Sequence, residues 1–431
     1  MNQQASAGHQ IKSSTYIWMV VALLWPVALL NYLDRQMLAA MKTSVMADVP
    51  DISGDANWGY MLGLFKWVYA ALSPLGGYVA DRYSRRWTIC ASLFVWSAVT
   101  WATGYVETYN GLLMTRALMG VSEAFYIPAA LALIADFHSP ATRSRAVGIH
   151  QMAIYSGLII GGFAGYVADS ESLGWRFAFD ATGLAGIIYA FPLLFLLKEA
   201  PSASVVSDSS GSTLNKSAKP AFPAAVRELF SNPSYWLMIL YFTLPAIAGW
   251  VVRDWMPDIL KTKFDISQGK AGVSATLYVN IASILGATLG GWAADRWMKR
   301  TLRGRIFVSA LGMSLFIPAL FGVGNSSTLF VAVSFLMLYG IGWGCFDSNN
   351  MPILSQVVRP ELRATGYGIM NLVSISAGGF ADWQFGSLKQ AQVPLNLVFG
   401  GFAGIALFSV FLVLLVRPRT EEELTARKPN R

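Results

Sequence analysis

Apolar runs as long as a lipid bilayer is thick recur from Tyr16 almost to the C-terminus of this 431-residue chain. An α-helix rises 1.5 Å per residue, so about 20 apolar residues cross the hydrocarbon core of a membrane. In lipid, such segments satisfy their backbone polar groups as helices, and the period-two alternation of a barrel strand is absent. Only 13% of the residues are charged, about half the share in a typical soluble domain. The sequence therefore predicts an all-α membrane protein.

Twelve transmembrane helices are predicted from these runs. No cleaved signal peptide is expected, because the first apolar run is too long and lacks a small-residue cleavage pattern. That run is counted as the first span. The predicted spans cover approximately residues 15–41, 58–80, 87–106, 109–135, 144–168, 176–197, 233–257, 271–294, 305–324, 328–354, 364–387 and 395–416.

The charges between the spans predict the orientation, because loops on the cytoplasmic side carry an excess of Lys and Arg. With both termini cytoplasmic, the loops on that side hold most of the basic residues. The formal net charge of +8 is then explained by contact with anionic lipid, so no nucleic acid partner is predicted. Cys90 and Cys345 fall far apart in predicted spans, and neither a disulfide nor a metal site is expected.

Two loops of the first half of the chain recur in the second half. The segment GGYVADRYSRR matches GGWAADRWMKR at an offset of 214 residues, and PATRSRAVG matches PELRATGYG at an offset of 220. Two matches at nearly one offset predict two six-helix halves. The segment between them is rich in Ser, Ala and Pro, which is typical of a solvated linker. The predicted division is 1–198 for the first half, 199–230 for a cytoplasmic linker and 231–431 for the second half.

These features resemble the major facilitator superfamily over essentially the whole chain. Six plus six spans, a polar central linker and the pattern Gly-x-x-x-Asp-Arg-x-x-Arg-Arg after span 2 carry the resemblance. It implies that this loop latches the inner ends of helices during conformational change. One departure is Ser84, where the family usually has glycine, and the alternative is that the charges only set the orientation. The implied latch residues are Gly77, Asp81, Arg82, Arg85 and Arg86, with Asp295 and Arg296 in the second copy.

Five ionisable side chains of the first half are expected at bilayer depth, away from the ends of their predicted spans. A charge at the centre of the bilayer costs about 2.5–3.5 kcal/mol on insertion scales, so such residues point to a function. Two of them, Arg116 and Glu123, are seven residues apart, which places them on nearly one helix face and about 10 Å apart along the axis. The five residues are Asp34, Arg35, Lys66, Arg116 and Glu123.

We interpret the carboxylates of Asp34 and Glu123 as proton carriers, with Arg116 beside them. Low dielectric raises the pKa of a buried acid and a nearby cation lowers it, so an anion that competes for the cation favours protonation of the acid. Binding of an anion and protonation are then coupled. The alternative is that Asp34 with Arg35, and Glu123 with Arg116 or a neighbour, are static ion pairs that fix helix packing, although an apolar pair often serves as well.

The segments around these charges narrow the resemblance. NYLDR in span 1, Tyr69 in span 2 and RALMGVSEAFYIP in span 4 resemble the anion:cation symporters, the branch that includes hexuronate and galactonate carriers and sialin. NYLDR and GVSEAFY also resemble the spinster-type transporters of lysolipids and sphingoid phosphates, and the sequence does not separate the two branches. The resemblance to the symporters assigns proton coupling and anion binding to Asp34, Arg35, Tyr69, Arg116 and Glu123.

Further substrate-binding residues are expected around these positions. Lys66 lies three residues before Tyr69, on the same helix face, where a lysine favours an acid or a phosphate; alternatively it pairs with one of the carboxylates. His150 is a candidate for substrate binding or proton relay, or else a packing residue. Ile154 replaces the glutamine expected in sugar-acid carriers. The remaining candidates, several of them suited to hydroxyl groups, are Gln151, Arg253, Asp347, Asn350 and Asn371.

The sequence thus predicts a secondary active transporter that moves a small organic anion, such as a hexuronate or aldonate, together with protons by alternating access. No cofactor is expected, because the proton gradient supplies the energy. The expected setting is a monomer in a bacterial inner membrane. The alternatives are a spinster-type transporter of lysolipid or another amphipathic anion, and a non-transporting receptor derived from a transporter. An enzyme is not predicted, since no catalytic trio, histidine-rich metal cluster or phosphate loop is found.

Overall fold

A computed structural model of the chain describes residues 14–199, 222–420 and 423–424. Every regular element within these ranges is helical, which confirms the predicted all-α fold. The helices that precede the predicted linker are α1 (Ser14–Ala40), α2 (Lys42–Asp48), α3 (Asp55–Arg82), α4 (Arg85–Thr103), α5 (Tyr109–Glu123), α6 (Tyr126–Phe137), α7 (Pro140–Gly162), α8 (Ala164–Ala168) and α9 (Gly174–Leu196).

The second half begins with a short helix at the end of the predicted linker. A 3₁₀ turn at Pro360–Leu362 precedes the penultimate helix. The helices are α10 (Phe222–Phe230), α11 (Pro233–Phe264), α12 (Gln268–Met298), α13 (Gly304–Asn325), α14 (Leu329–Ser355), α15 (Arg363–Gln390) and α16 (Leu395–Leu415).

Helices occur at all twelve predicted spans. Nine helical stretches in the described part of the chain are long and apolar enough to cross a membrane, counting α5 with α6 and α7 with α8 as one stretch each. The stretches outside this set of nine are α3, α4 and α15. α3 and α15 contain ionisable side chains and several glycines, and α4 begins with two arginines, which lowers the average apolarity of each.

Predicted span 4 is interrupted directly after Glu123, where α5 ends, and α6 begins at Tyr126. Pro128 accounts for the break, because its ring lacks a backbone N–H and clashes with the carbonyl four residues earlier, that of Ala124. A Cβ added at Gly76 on α3 would lie 2.3 Å from this carbonyl oxygen, so the approach requires a glycine. The kink therefore lies beside a buried carboxylate and is tightly packed.

The two halves meet through helices that contain glycine at the contact. α3 packs against α15, and α7 against α12. A Cβ added at Gly59 would lie 2.3 Å from the carbonyl oxygen of Asp382, and one added at Gly272 would lie 2.2 Å from that of Gly162. Small residues allow such close approach of helices in membranes, where packing replaces the hydrophobic driving force.

Polar contacts between the halves are concentrated at the end of the bundle that carries α2 and the α8 to α9 connection. Here Gln268 Nε2 donates to Ser44 Oγ at 2.6 Å and to Asp169 Oδ1 at 3.1 Å, and the Gly269 N–H donates to Asp169 Oδ2 at 2.8 Å. We name this end the closed face. The molecule is therefore in a conformation in which the halves are joined at the closed face.

The predicted linker is partly helical. Residues 200–221 of it, like residues 1–13 at the N-terminus, lie outside the described residues. The rest contains α10, which buries Ala225 and Leu229 and is tied to the second half by Arg359, whose Nε donates to Glu228 Oε1 at 2.7 Å. An apolar face four residues apart is typical of a helix that lies on a larger body. The boundaries of the two halves stay a prediction.

Candidate functional site

A narrow cavity lies between the halves, with about 480 Å³ of empty space when its opening to solvent is included. Side chains from α1, α3, α5, α7 and α11 line it. Four of them are cations, so positive charge from both halves faces one chamber. The cations are Arg35, Lys66, Arg116 and Arg253, and the rest of the wall is formed by Tyr32, Leu38, Leu62, Phe65, Met119, Leu158, Trp250 and the carboxylate of Asp254.

Arg35 is held between a carboxylate and a group of aromatic rings. Its Nε lies 2.7 Å and its Nη2 2.6 Å from Oε2 of Glu123. Its guanidinium carbon lies 4.9, 4.8 and 4.9 Å from the ring centroids of Tyr32, Phe65 and Tyr69. Glu123 is fully buried, and its Oε1 has no hydrogen-bond partner in the described part of the chain. Glu123 therefore pairs with Arg35 and not with Arg116, which is the neighbour option of the predicted ion pair.

Asp34 faces α4 instead of its neighbour in sequence. Thr100 Oγ1 donates to Asp34 Oδ2 at 2.8 Å, and both side chains are buried. Successive residues of a helix point about 100° apart, so Asp34 and Arg35 cannot share one direction. The predicted static pair of Asp34 with Arg35 is wrong for this reason.

Two of the cations that line the cavity have no carboxylate within 4.0 Å among the described residues. Arg116 is buried and donates from Nη2 to Thr103 Oγ1 at 3.3 Å. Arg253 is half-buried, and its guanidinium lies 5.0 Å from the ring centroid of Trp250. Both are thus placed to bind the charged group of an anion, since a guanidinium without a carboxylate keeps its hydrogen-bond donors available.

Lys66 joins the halves through two carboxylates. Its Nζ contacts Oδ2 of Asp254 on α11 and Oδ2 of Asp382 on α15. The ammonium also lies 4.3 Å from the ring centroid of Trp250. Lys66, Asp254 and Asp382 are all buried. This geometry follows the alternative in which Lys66 pairs with carboxylates, but the partners come from the second half.

Tyr69 is buried and contributes its ring to the Arg35 site. His150 is buried, and its Nε2 lies 2.9 Å from the hydroxyl of Tyr126. This contact favours the packing interpretation of His150. Gln151 is half-buried on α7. A binding role for His150 or Gln151 stays a prediction.

The predicted hydroxyl-binding residues form a polar group on α14 and α15. Asn350 is buried and accepts a hydrogen bond from the Tyr241 hydroxyl at 2.8 Å. Its amide donates to Asp347 Oδ1 at 3.4 Å, and Asp347 is exposed. Asn371 is half-buried. These side chains are not among the described residues that line the cavity, and their binding role stays a prediction.

The predicted latch loop is fastened to helices of its own half. Arg85 forms an ion pair with Asp136 on α6. Arg86 donates to the backbone carbonyl of Leu194 on α9. These contacts fix the loop between α3 and α4 against the ends of two further helices.

The second half contains a matching contact. Arg303 donates to the carbonyl of Leu414 on α16, as Arg86 does to that of Leu194. Leu194 and Leu414 are 220 residues apart, which is the offset of the second sequence repeat. An arginine therefore ties the loop to the last helix in each half.

The other predicted latch residues are less constrained. Arg82, Asp295 and Arg296 are exposed, and the guanidinium of Arg82 lies 5.0 Å from the ring centroid of Tyr78. Gly77 and Asp81 lie in the last turns of α3. Their part in conformational change stays a prediction.

Four charged residues join the halves at the closed face. Lys42 and Asp55 belong to the first half, and Asp258 and Lys389 to the second. Lys42 Nζ contacts Asp55 and lies 3.0 Å from Asp258 Oδ2, while Lys389 Nζ lies 2.5 Å from Asp258 Oδ2 and 3.2 Å from Asp55 Oδ2. The ring of Trp255 lies 5.2 and 5.9 Å from the two ammonium groups. We name these four charged residues the closed-face tetrad.

The sequence-based prediction misses Asp382 and the closed-face tetrad. A signal for Asp382 was present, since it stands inside predicted span 11, where a charge is as costly as in span 1. The tetrad has no such signal. Lys42, Asp55, Asp258 and Lys389 lie at or just beyond the ends of predicted spans, where charges are ordinary.

The chain belongs to the major facilitator superfamily of membrane transporters: the family description "Major Facilitator Superfamily" matches residues 24–381. Within it, the chain belongs to the spinster family. It is 33% identical to human protein spinster homolog 1 over 378 residues, covering 83% of this chain and 70% of the relative. This confirms the resemblance to the superfamily and, within it, to the spinster-type transporters.

Two further proteins are similar to the chain over most of its length. The mouse sphingosine-1-phosphate transporter SPNS2 is 26% identical over 424 residues, covering 88% of this chain and 75% of that protein. A crystal structure of a bacterial homologue of the human lysosomal transporter Spinster, inward-facing and unoccupied, superposes with a TM-score of 0.76 at 21% identity, covering 94% of this chain and 95% of the other. At that identity the superposition shows the fold alone.

Proposed function

We propose that this transporter moves an organic anion with an apolar portion, and that protons drive the movement. The observation that carries the proposal is the cavity wall, where Arg116 and Arg253 are free of carboxylates within the described residues and lie beside apolar side chains such as Leu62 and Met119. An anionic head binds to guanidinium groups, and the apolar wall removes a hydrocarbon portion from water. The printed name of one relative, the mouse sphingosine-1-phosphate transporter SPNS2, supports a lipid-like anion.

Proton coupling rests on Arg35 and Glu123. An anion that approaches Arg35 competes with the Glu123 carboxylate, which is fully buried. A buried carboxylate that loses its cation binds a proton, because an isolated charge is costly in low dielectric. Asp34 is the second carrier, since Thr100 is its hydrogen-bond donor and a hydroxyl can serve either protonation state.

A sugar acid is the second candidate substrate. The exposed carboxylate of Asp347 and the amides of Asn350 and Asn371 favour it, since these groups pair with several hydroxyls. Such a substrate uses the polar group of the second half and leaves the apolar wall without a role.

The two candidates are separated by a thermal-shift and flux experiment on purified protein in liposomes. Lysophosphatidate is expected to raise the melting temperature, because a ligand that binds only the folded state stabilises it. Arg253→Gln is expected to weaken its binding at least tenfold, since a lost charge-assisted hydrogen bond is worth about 1.5–3 kcal/mol. Arg300→Gln, at an exposed position in the turn after α12, is the matched control. Stabilisation by glucuronate alone supports the sugar acid, and saturable binding without flux supports a receptor.

Proton coupling is tested by a second experiment, which measures proton movement instead of substrate binding. Substrate-driven proton uptake is recorded with a pH dye in liposomes that contain Asp34→Asn or Glu123→Gln. Each variant is expected to exchange substrate but to lose uphill accumulation. Unchanged coupled uptake in both variants contradicts the assignment of these carboxylates.

The proposed setting is a bacterial inner membrane with both termini in the cytoplasm and no cofactor besides the proton gradient. In that orientation the closed face is the outer one, and the described conformation is open towards the cytoplasm. The arginines at the α3–α4 and α12–α13 connections support this orientation. These connections lie at the end opposite the closed face, and loops on the cytoplasmic side carry an excess of Lys and Arg. Labelling of a cysteine at Arg296 by an impermeant reagent only after cell lysis is the expected result.

A further inference from the structure

A second group of buried charges lies apart from Asp34 and Glu123. Lys66 Nζ contacts one carboxylate oxygen of Asp254 and one of Asp382. With all three groups ionised the set has a net charge of −1. The residues are 3%, 8% and 0% exposed, respectively. The second oxygen of Asp382 is buried without a hydrogen-bond partner in the described ranges. The set therefore contains one carboxylate more than its cation can neutralise.

The cation and the carboxylates belong to opposite halves. Lys66 is on α3, whereas Asp254 and Asp382 are on α11 and α15. α3 touches α15 near this set, since a Cβ at Gly59 would lie 2.3 Å from the backbone oxygen of Asp382. Entry of a substrate from the closed face requires these helices to part. Lys66 then moves away from both carboxylates at once.

The carboxylates remain together when Lys66 leaves. Both contact one ammonium group, so their oxygens are neighbours, and two like charges this close in a low dielectric do not both stay ionised. Other charged groups lie on the surrounding helices, and three of them share the cavity with Lys66 and Asp254. Arg116 on α5 lines it and donates to Thr103, without a carboxylate within 4.0 Å in the described ranges. Arg35 on α1 is paired with Glu123, Lys389 on α15 belongs to the closed-face tetrad, and Arg253 on α11 lies over Trp250. On α14, Asp347 is a further negative charge.

We propose that Asp254 and Asp382 form a second proton-binding site, which is loaded when the closed face opens and emptied when Lys66 returns. One proton from the water on the closed-face side binds the pair as the halves part. On closure, the Lys66 ammonium displaces that proton from the carboxyl group, and water in the cavity receives it. Lys66 keeps its own protons throughout, so the charge balances. The cavity provides the exit, because Lys66 and Asp254 both line it. The inference rests on the alternating movement of the proposed function.

The test is a distance measurement on substrate-free protein in nanodiscs. Spin labels are attached to cysteines at Asp51 and Ala391, which are exposed at the closed face on opposite halves, after replacement of Cys90 and Cys345. Every protein in this test also carries Asp34→Asn and Glu123→Gln, so that these two carboxylates cannot contribute to the pH dependence. Lowering the pH is expected to raise the ratio of the long-distance to the short-distance population. The change is up to tenfold per pH unit, because one proton binds as the closed face opens. No substrate is needed, so the result is independent of what the transporter carries.

Two variants distinguish a proton-binding site from a set of charges that only holds the halves together. Asp382→Asn in this background is expected to abolish the pH dependence. Asp258→Asn, which removes a carboxylate of the closed-face tetrad, is the matched control and is expected to favour the long distance while the pH dependence remains. A shift in populations with an unchanged pH dependence in Asp382→Asn overturns the proposal.

A second variant covers the case in which Asp382→Asn does not fold. In Lys66→Met the pair has no ammonium in either conformation and keeps its proton in both. The pH dependence is again expected to vanish. Its persistence in Lys66→Met also overturns the proposal.

Discussion

The guanidinium of Arg35 illustrates how a charge inside this membrane protein is stabilised. Arg35 contacts the Glu123 carboxylate, and its guanidinium carbon lies 4.8 to 4.9 Å from the centroids of three aromatic rings. Each cation–π contact contributes about 0.5–2 kcal/mol, depending on desolvation. A guanidinium stacks on rings and offers several N–H donors in one plane, whereas an ammonium group makes both kinds of contact only as a compact point charge. We therefore expect the site to prefer arginine to lysine.

Arg35→Lys tests this specificity. The variant keeps a cation near Glu123 but loses the stacked plane, so the affinity for the transported anion is expected to fall about tenfold, which corresponds to about 1.4 kcal/mol. Isothermal titration on the purified protein measures it. Arg300→Lys, at an exposed position in the turn after α12, is the control, and equal losses in both variants would contradict the argument.

The buried ions of the first half were predictable from the sequence, but their partners were not. The cost of burying a charge identifies Asp34, Lys66 and Glu123 as functional candidates from one chain. Which residue faces which depends on helix rotation and on the packing of the two halves. Nothing local in the sequence indicates that Lys66 meets Asp382, more than 300 residues away.

At the scale of the element, the long apolar runs predicted where helices occur, and local polar chemistry decided where they end. Ser84 takes the place of the glycine usual in this family's loop and acts as the N-cap of α4, where its Oγ accepts from the Trp87 N–H at 3.3 Å. The same hydroxyl donates to Glu199 at 2.6 Å. Pro128 is a signal for the break that the continuous predicted span 109–135 did not use, and the tight packing of the break depends on Gly76, which lies far away in sequence.

Ser84→Ala is expected to lower the free energy of unfolding by about 1 kcal/mol, whereas Ser84→Gly lowers it by only a few tenths, because glycine is also a good N-cap. Thermal unfolding followed by light scattering or intrinsic fluorescence measures both variants. Ser334→Ala is the control, since its hydroxyl bonds only to the preceding turn of α14. An equal effect of Ala and Gly at position 84 would show that the contact with Glu199 dominates.

At the scale of the whole molecule, the halves are joined through close backbone approaches and a few ionic groups. Gly59 and Gly386 bring α3 and α15 together, since a Cβ at either would lie 2.3 or 2.2 Å from a carbonyl oxygen of the opposite helix. Helices that touch through glycines separate without disentangling large side chains. This arrangement suits two bodies that part and rejoin in every cycle.

Gly59→Ala is expected to weaken closure. The added methyl group cannot fit against the backbone of α15, so the long distance between labels at positions 51 and 391 should gain population severalfold at fixed pH. Gly148→Ala, where a Cβ meets nothing within 4 Å, is the matched control. An unchanged distribution in Gly59→Ala would mean that α3 and α15 do not separate.

The closed-face tetrad has a consequence for where such a carrier works best. Because glycines offer little resistance to separation, much of the resistance falls on four charges at the end of the bundle. Attraction between charges that water reaches weakens as ions accumulate, with a screening length of about 10 Å at 0.1 M. Lys42 and Asp258 are buried, whereas the side chains of Asp55 and Lys389 are 19% and 20% exposed, so screening reaches only part of the tetrad. We therefore expect salt on the closed-face side to speed opening modestly.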